Sequence, residues 1–235
     1  MAIKPRECRA RVTDVRALTA DVLEAVLSMV DPAALEFEAG QWVSVPFGPK
    51  TVRAYSIAST PLTPSALTLC ADVAPGGIGS RWFRGLGRGA EVAFKGPLGG
   101  FTLGPAETRR PLFVAEEIGI VPIRAMLAQR HATGAGRPAT LVFWARDPGW
   151  LVHDAELQAL ARGAPGFAYH AVVRDAGPDW RGERGEAAPL VERTVDAVDD
   201  LVAYVAGGEA MIKAVRAVLM ARGLDRKSVK WEKFW

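Results

Sequence analysis

Between residues 7 and 30 apolar and polar side chains mix at short range, with Val12, Val15, Ala17, Val22 and Ala25 among the apolar positions. That texture suits paired antiparallel strands better than a helix. Asp31-Pro32 marks a turn, and strand-like runs recur at 41–47, 51–58, 66–73 and 91–95 with Gly and Pro between them. Six short strands in about a hundred residues predict a closed antiparallel barrel. Past Gly104-Pro105 the texture changes. Strands predicted at 111–115, 140–145, 167–174, 200–206 and 228–232 alternate with helices at 121–131, 153–161 and 209–222. Such alternation predicts a parallel sheet covered by helices on both faces. The expected class is therefore β + α/β, with a barrel over 1–104 and a nucleotide-type domain over 105–235. The one loop of loose composition is 175–185.

Two stretches carry candidate chemistry. In the run 51–58 successive side chains face opposite ways, so Arg53, Tyr55, Ile57 and Ser59 share one face and Ala54, Ser56 and Ala58 the other. An aromatic to pack on, short hydroxyls and a fixed guanidinium are the parts that an isoalloxazine ring and its phosphate need; an ordinary barrel strand is the alternative. After Val73, Ala74-Pro75-Gly76-Gly77-Ile78-Gly79-Ser80 opens a helical turn at 81–86. Amides at a helix start attract phosphate and glycines allow close approach, whereas a plain hairpin loop would also contain them. In the second half, ligands of a parallel sheet bind at the carboxyl ends of its strands, which points to the loops after Ala115, Ala145, Arg174 and Ala206.

These pieces occur in a familiar order. Arg53-Ala54-Tyr55-Ser56-Ile57-Ala58-Ser59 resembles the R-x-Y-S-x-x-S flavin motif of the ferredoxin-NADP reductase family. Gly40-Gln41-Trp42-Val43 is similar to its G-Q-[aromatic]-V strand, Gly76-Gly77-Ile78-Gly79-Ser80 to its flavin pyrophosphate loop, and Gly96-Pro97-Leu98-Gly99-Gly100-Phe101 to its G-P-x-G-x-F barrel close. The resemblance continues from Val114 to Met126 and from Tyr204 to Trp235. It implies a Rossmann-like second domain, FAD and NAD(P)H as cofactors, and FAD in the cleft between the domains. Arg53, Ala54, Tyr55 and Ser56 would hold the flavin and its phosphate, and Gly77, Ile78, Gly79 and Ser80 would receive the pyrophosphate. Glu117, Gly119, Pro122, Arg146, Gly207 and Met211 would line the nicotinamide side. Ser56 and the terminal Trp235 would stand at the reacting ring, Trp235 as its cover, although a terminal aromatic also suits a place in the core.

The departures from the family are equally informative. The first turn of the nucleotide domain commonly reads T-G-T-G-[IV]-A-P, and here it is Glu116-Glu117-Ile118-Gly119-Ile120-Val121-Pro122. Glu117 falls on a family glycine, adding bulk and negative charge where a pyrophosphate would come. Ala206 replaces a cysteine found in many members, which suggests altered turnover and not a different reaction, because the protein's main task is to hold the two rings at transfer distance.

Composition narrows the reading further. The chain has 235 residues, 49% hydrophobic and 23% charged, as in a folded soluble protein. No apolar run approaches the ~18 residues of a membrane span. Residues 1–6 lead into charged sequence without a signal-type apolar core, so a cytoplasmic protein is expected. Cys8 and Cys70 are too few for a four-thiolate iron-sulfur cluster; if the chain is a flavoprotein reductase, as the resemblance implies, its one-electron partner is a separate molecule, and the family's partners are ferredoxin, flavodoxin or an oxygenase component. His131, His153 and His170 lack metal-ligand spacing, and no metal is expected. Net charge is +3, but between Ser44 and Ala90 Lys50, Arg53, Arg81, Arg84 and Arg88 face the single acid Asp72. A solvated basic face explains this, as does steering of an acidic carrier; no nucleic-acid motif is present.

The resulting expectation is FAD-dependent electron transfer between NAD(P)H and a small redox protein. Two alternatives stay open: an FAD-binding electron-transfer subunit with weakened or lost NAD(P) binding, and a reductase of free flavin or quinone. NADH and NADPH are not distinguished, since Arg146 and Arg174 suit a 2′-phosphate and an ordinary surface equally well.

Overall fold

The computed structural model describes residues 3–104, 106–134 and 137–235. Pro105, on which the expected domain boundary falls, lies outside them. The chain groups into two compact units, one holding residues up to Gly104 with Arg124–Thr133, the other holding the segment up to Ile123 with Gly134–Trp235.

The first unit contains β1 (Arg6–Ala17), β2 (Val22–Asp31), β3 (Trp42–Pro46), β4 (Val52–Ser56), β5 (Ala66–Asp72), α1 (Ile78–Arg84) and β6 (Glu91–Leu98). The strands form an antiparallel sheet in the order β4-β3-β6-β1-β2-β5. Its two ends meet where Ile57 bridges Leu69 and Ala58 N–H donates to Thr68 O at 2.7 Å. That contact closes the sheet and leaves no free edge there, as the alternating pattern predicted. Inward positions fill the barrel with Leu27, Leu35, Ile57, Leu67, Leu69 and Phe94, and α1 adds Phe83.

Two of the family-like motifs in this unit tie the barrel together. Gln41 Oε1 accepts from Glu38 N–H at 2.8 Å, and Gln41 Nε2 donates to Gly99 O at 3.1 Å. Gly99 has a φ of 93°, and a Cβ there would stand 2.6 Å from Trp42 Nε1. Only glycine meets both demands.

The second unit contains β7 (Arg110–Glu116), β8 (Ala139–Ala145), α3 (Asp154–Gly163), β9 (Phe167–Val173), β10 (Glu183–Arg184), α4 (Ala187–Thr194), β11 (Leu201–Gly207), α5 (Glu209–Ala221) and β12 (Val229–Lys233). Helix α2 (Ile120–Ala132) starts in this unit and ends in the first. The sheet is wholly parallel, in the order β10-β9-β8-β7-β11-β12. Every residue of β11 is buried, as expected for a strand covered on both faces.

The predicted elements lie within a few residues of the observed ones. Two were missed, the short edge strand β10 and helix α4. Pro189 interrupts the pattern of α4, but it falls in the first turn, where a missing N–H costs nothing. Ala187, Leu190 and Val191 carry that helix into the core.

Candidate functional site

In the barrel unit the strand and the glycine loop converge. A Cβ on Gly79 would stand 2.8 Å from Tyr55 Oη and 3.2 Å from Arg53 Cγ, so α1 begins directly against the β4 side chains. A Cβ on Gly77 would meet nothing within 4 Å. Gly77 N-caps α1 in an extended conformation without a side-chain hydrogen bond. Ser80 is buried, and Ile78 is exposed.

The facing pattern of β4 is only partly as predicted. Tyr55 and Ile57 point inward as a pair, but Ser56 is buried as well, at 6%, while Ala54 and Arg53 are exposed. Tyr55 belongs to the barrel core, its ring 5.5 Å from Trp82 and 5.6 Å from Phe83. Burial lifts its hydroxyl to about 12, with Arg53 pulling the other way, so Tyr55 is a neutral hydrogen-bonding group at physiological pH.

Arg53 Nη1 donates to Val52 O at 2.8 Å. A residue absent from the predicted site, Arg81, donates Nη1 to Gly76 O at 2.7 Å and so braces the glycine loop. Its signal in the sequence was a cation one residue past Ser80. A fixed guanidinium, a neutral phenol, a buried serine and a glycine turn without side-chain bulk are donors and spaces of the kinds FAD needs, and the residues present fit that group.

In the second unit the candidate nucleotide residues gather where β7 and β11 run side by side. Strands β8 and β9 extend the sheet one way from β7 while β11 and β12 extend it the other, which makes this the topological switch point. A Cβ on Gly119 would collide with the Ala206 carbonyl, so Gly119 allows the first turn to lie against β11. Pro122 is buried in the first turn of α2. Gly207 has a φ of 157°, and a Cβ there would stand 2.5 Å from Glu116 Cβ and 2.7 Å from Met211 Cε. Past β12, Phe234 N–H donates to Gly207 O at 3.1 Å. That bond lands Trp235 beside Gly208, where a Cβ would lie 2.7 Å from the indole Nε1. Trp235 is 51% exposed and is not a core aromatic.

Both acids of the first turn are engaged. Glu116 Oε2 accepts from Gly208 N–H at 2.7 Å, and Glu117 Oε1 accepts from Arg146 N–H at 3.2 Å. Glu117 has a left-handed backbone, with φ 46°. Burial pushes the Glu116 carboxyl above its ordinary value; the Gly208 bond opposes this, and the neighbouring Glu117 and Glu186 add to it. Arg146 lies 5.7 Å above the Trp150 ring and 3.9 Å from Asp147, while Arg174 lies 5.5 Å above Trp144 and 3.3 Å from Asp175. The aromatic and acidic partners of these two arginines were not anticipated.

Comparison with known proteins places both units. The model of an oxidoreductase FAD-binding domain matches residues 9–103, and that of an oxidoreductase NAD-binding domain matches 113–217. The chain is 33% identical over 242 aligned residues to ferredoxin–NADP reductase B of Sorangium cellulosum, covering 99% of each. It is 28% identical to the reductase component of propane 2-monooxygenase from Rhodococcus jostii, covering 97% of this chain and 64% of that one. The crystal structure of an Amycolatopsis cytochrome P450 reductase superposes with a TM-score of 0.88 at 26% identity, over 98% of this chain and 70% of that one. Domain order, barrel motifs and a full-length relative agree: the chain belongs to the ferredoxin-NADP reductase family of FAD- and NAD(P)-binding oxidoreductases.

Proposed function

We propose that this chain accepts reducing equivalents from NAD(P)H and passes them to a separate small redox protein, of the ferredoxin or flavodoxin type or a component of an oxygenase. The observation that carries the reading is the convergence of Arg53, Tyr55 and Gly79 on one corner of the barrel. Full-length similarity to a protein named as a ferredoxin–NADP reductase supports it, as does similarity to the reductase component of an oxygenase. Bound FAD supplies the conversion of a two-electron hydride transfer into single-electron steps.

The chain's own contribution is to bind and orient. Arg53 offers charge to a phosphate, Tyr55 and Ser56 offer hydroxyls to the ring edge, and Gly77, Ile78, Gly79 and Ser80 offer backbone to the pyrophosphate. On the nucleotide side Gly119, Pro122, Gly207 and Met211 shape the floor, with Glu117 and Arg146 at its rim. Ser56 and Trp235 are assigned to the reacting ring. The domains are taken as 1–104 for FAD and 105–235 for NAD(P), and a cytoplasmic location belongs to the same proposal. Among the described residues no helix is long and apolar enough to cross a membrane.

The bonds of Glu116 and Glu117 to backbone amides favour a second reading, an FAD-binding electron-transfer subunit with weakened nucleotide binding. The test is to purify the protein, reconstitute it with FAD, and follow flavin bleaching under anaerobic NADH or NADPH, then add ferredoxin, flavodoxin or free flavin. Bleaching followed by reduction of a protein carrier supports the first reading. Reoxidation by free flavin alone supports a small-molecule reductase, and a protein that cannot be reconstituted with FAD or FMN overturns the whole assignment.

A further inference from the structure

The carboxyl edge of the parallel sheet already holds an anion, supplied by the chain itself. Gly208 N-caps α5 without a side chain of its own, and its N–H is taken by Glu116 Oε2 from the end of β7. A helix start of this kind, beside the switch point of a doubly wound sheet, is where an anionic or acceptor-rich ligand is best received. One strand over, the N–H of Arg146, the first residue past β8, is taken by Glu117 Oε1. Glu117 makes that bond from a left-handed backbone, which residues with a side chain rarely adopt. The two acids therefore lie at strand ends lined by the glycines at 119, 207 and 208, with Met211 and Trp235 alongside.

We propose that Glu116 and Glu117 are a built-in competitor for the nicotinamide dinucleotide: their carboxylates occupy the Gly208 and Arg146 amides that acceptor oxygens of the cofactor would take. The proposal rests on the nucleotide-binding reading of this domain. Binding then requires both side chains to leave, and the affinity is correspondingly low. Burial disfavours the ionised form of Glu116 in its present position, which eases its departure towards solvent. A Cβ on Gly207 or Gly208 would stand within about 3 Å of the Glu116 side chain, so the space beside these two glycines is the space that Glu116 takes.

The test uses the full chain loaded with FAD, titrated calorimetrically with NAD⁺ and with NADP⁺ so that no turnover intervenes. Wild type is compared with Glu116→Ala, Glu117→Gly and, as a control for general charge, Glu186→Gln, because Glu186 acts on Glu116 through space. Flavin content and melting temperature establish that each variant is folded. Removing either competing carboxylate is expected to tighten binding about tenfold, the scale of one hydrogen bond to a charged group, and the control is expected to change little. Measurable wild-type binding with no gain in Glu116→Ala or Glu117→Gly would overturn the competitor and leave the nucleotide site standing. An equal gain in Glu186→Gln would also overturn it, by tracing the effect to net charge. Flavin-loaded variants that bind neither nucleotide would overturn both the competitor and the nucleotide-binding reading.

Discussion

The barrel corner at Arg53–Gly79 and the strand ends at Glu116–Gly208 are built on the same plan and differ in what fills them. In each, a strand carrying polar side chains meets a glycine turn that leads into a helix. At the barrel corner a Cβ on Gly77 would meet no other residue within 4 Å, and the guanidinium groups of Arg53 and Arg81 bond backbone carbonyls beside it. At the sheet edge the turn is crossed by two carboxylates hydrogen-bonded to backbone amides. In the first region guanidinium groups bond backbone carbonyls, and in the second carboxylates bond backbone amides. The same local plan, a strand end followed by a glycine turn and a helix, can thus carry opposite charges at its turn.

The largest expected effects break the first half of this comparison. Gly79→Val places a side chain against Tyr55 Oη and Arg53, so it should abolish FAD retention on gel filtration and destabilise the protein by about 1–3 kcal/mol, as overpacking does. Arg53→Ala removes a charged donor at an exposed position and should weaken FAD binding roughly tenfold to a hundredfold, the scale of a hydrogen bond to a charged group. Retention of FAD by both variants at wild-type strength would show that the corner is only a packing contact.

The second half is sharpened by backbone strain. Glu117→Ala and Glu117→Gly both delete the carboxylate, but only glycine suits φ 46°. The glycine variant should be the more stable of the two by about 1 kcal/mol in urea unfolding. Equal stabilities would mean that the turn relaxes once the bond to Arg146 is gone.

A smaller effect follows from Glu116. Its folded pKa lies above the ordinary value of 4.5, so the native state holds this proton more tightly than the unfolded chain does. The stability from this group is fully present below pH 4.5 and is lost as pH rises through the raised folded value. Wild type should therefore gain stability relative to Glu116→Gln as pH falls towards 4.5, checked by melting temperature across that range. A constant difference would place Glu116 in a more solvated setting. Smallest in free energy, deletion of Trp235 should alter the absorption and fluorescence of bound flavin, and unchanged spectra would remove it from the reacting ring.

The architecture was largely legible because each half has its own hydrophobic period and its own punctuation. The barrel motifs were legible too, although Gln41 and Gly99 serve the frame: their side chain and turn lock two segments together. Helix α4 was hidden by Pro189, and Arg81 by its place among other cations. The burial of Ser56 beside Tyr55 broke a strict alternation, because β4 ends there as the barrel closes through Ile57. The sequence showed that Glu116 and Glu117 were unusual but not what they touch. Glu116 and Gly208 are joined only by the pairing of β7 with β11, and Glu117 and Arg146 only by that of β7 with β8.

The measurement that bears most directly on this account is the rate of anaerobic flavin reduction against NADH and NADPH concentration in wild-type protein with FAD bound. The account predicts stoichiometric flavin with half-saturation towards ~1 mM nucleotide, the upper end of the usual range for enzymes. Saturation near ~1 μM, the lower end of that range, would contradict it, because carboxylates that must first be displaced from the Gly208 and Arg146 amides are incompatible with binding that tight.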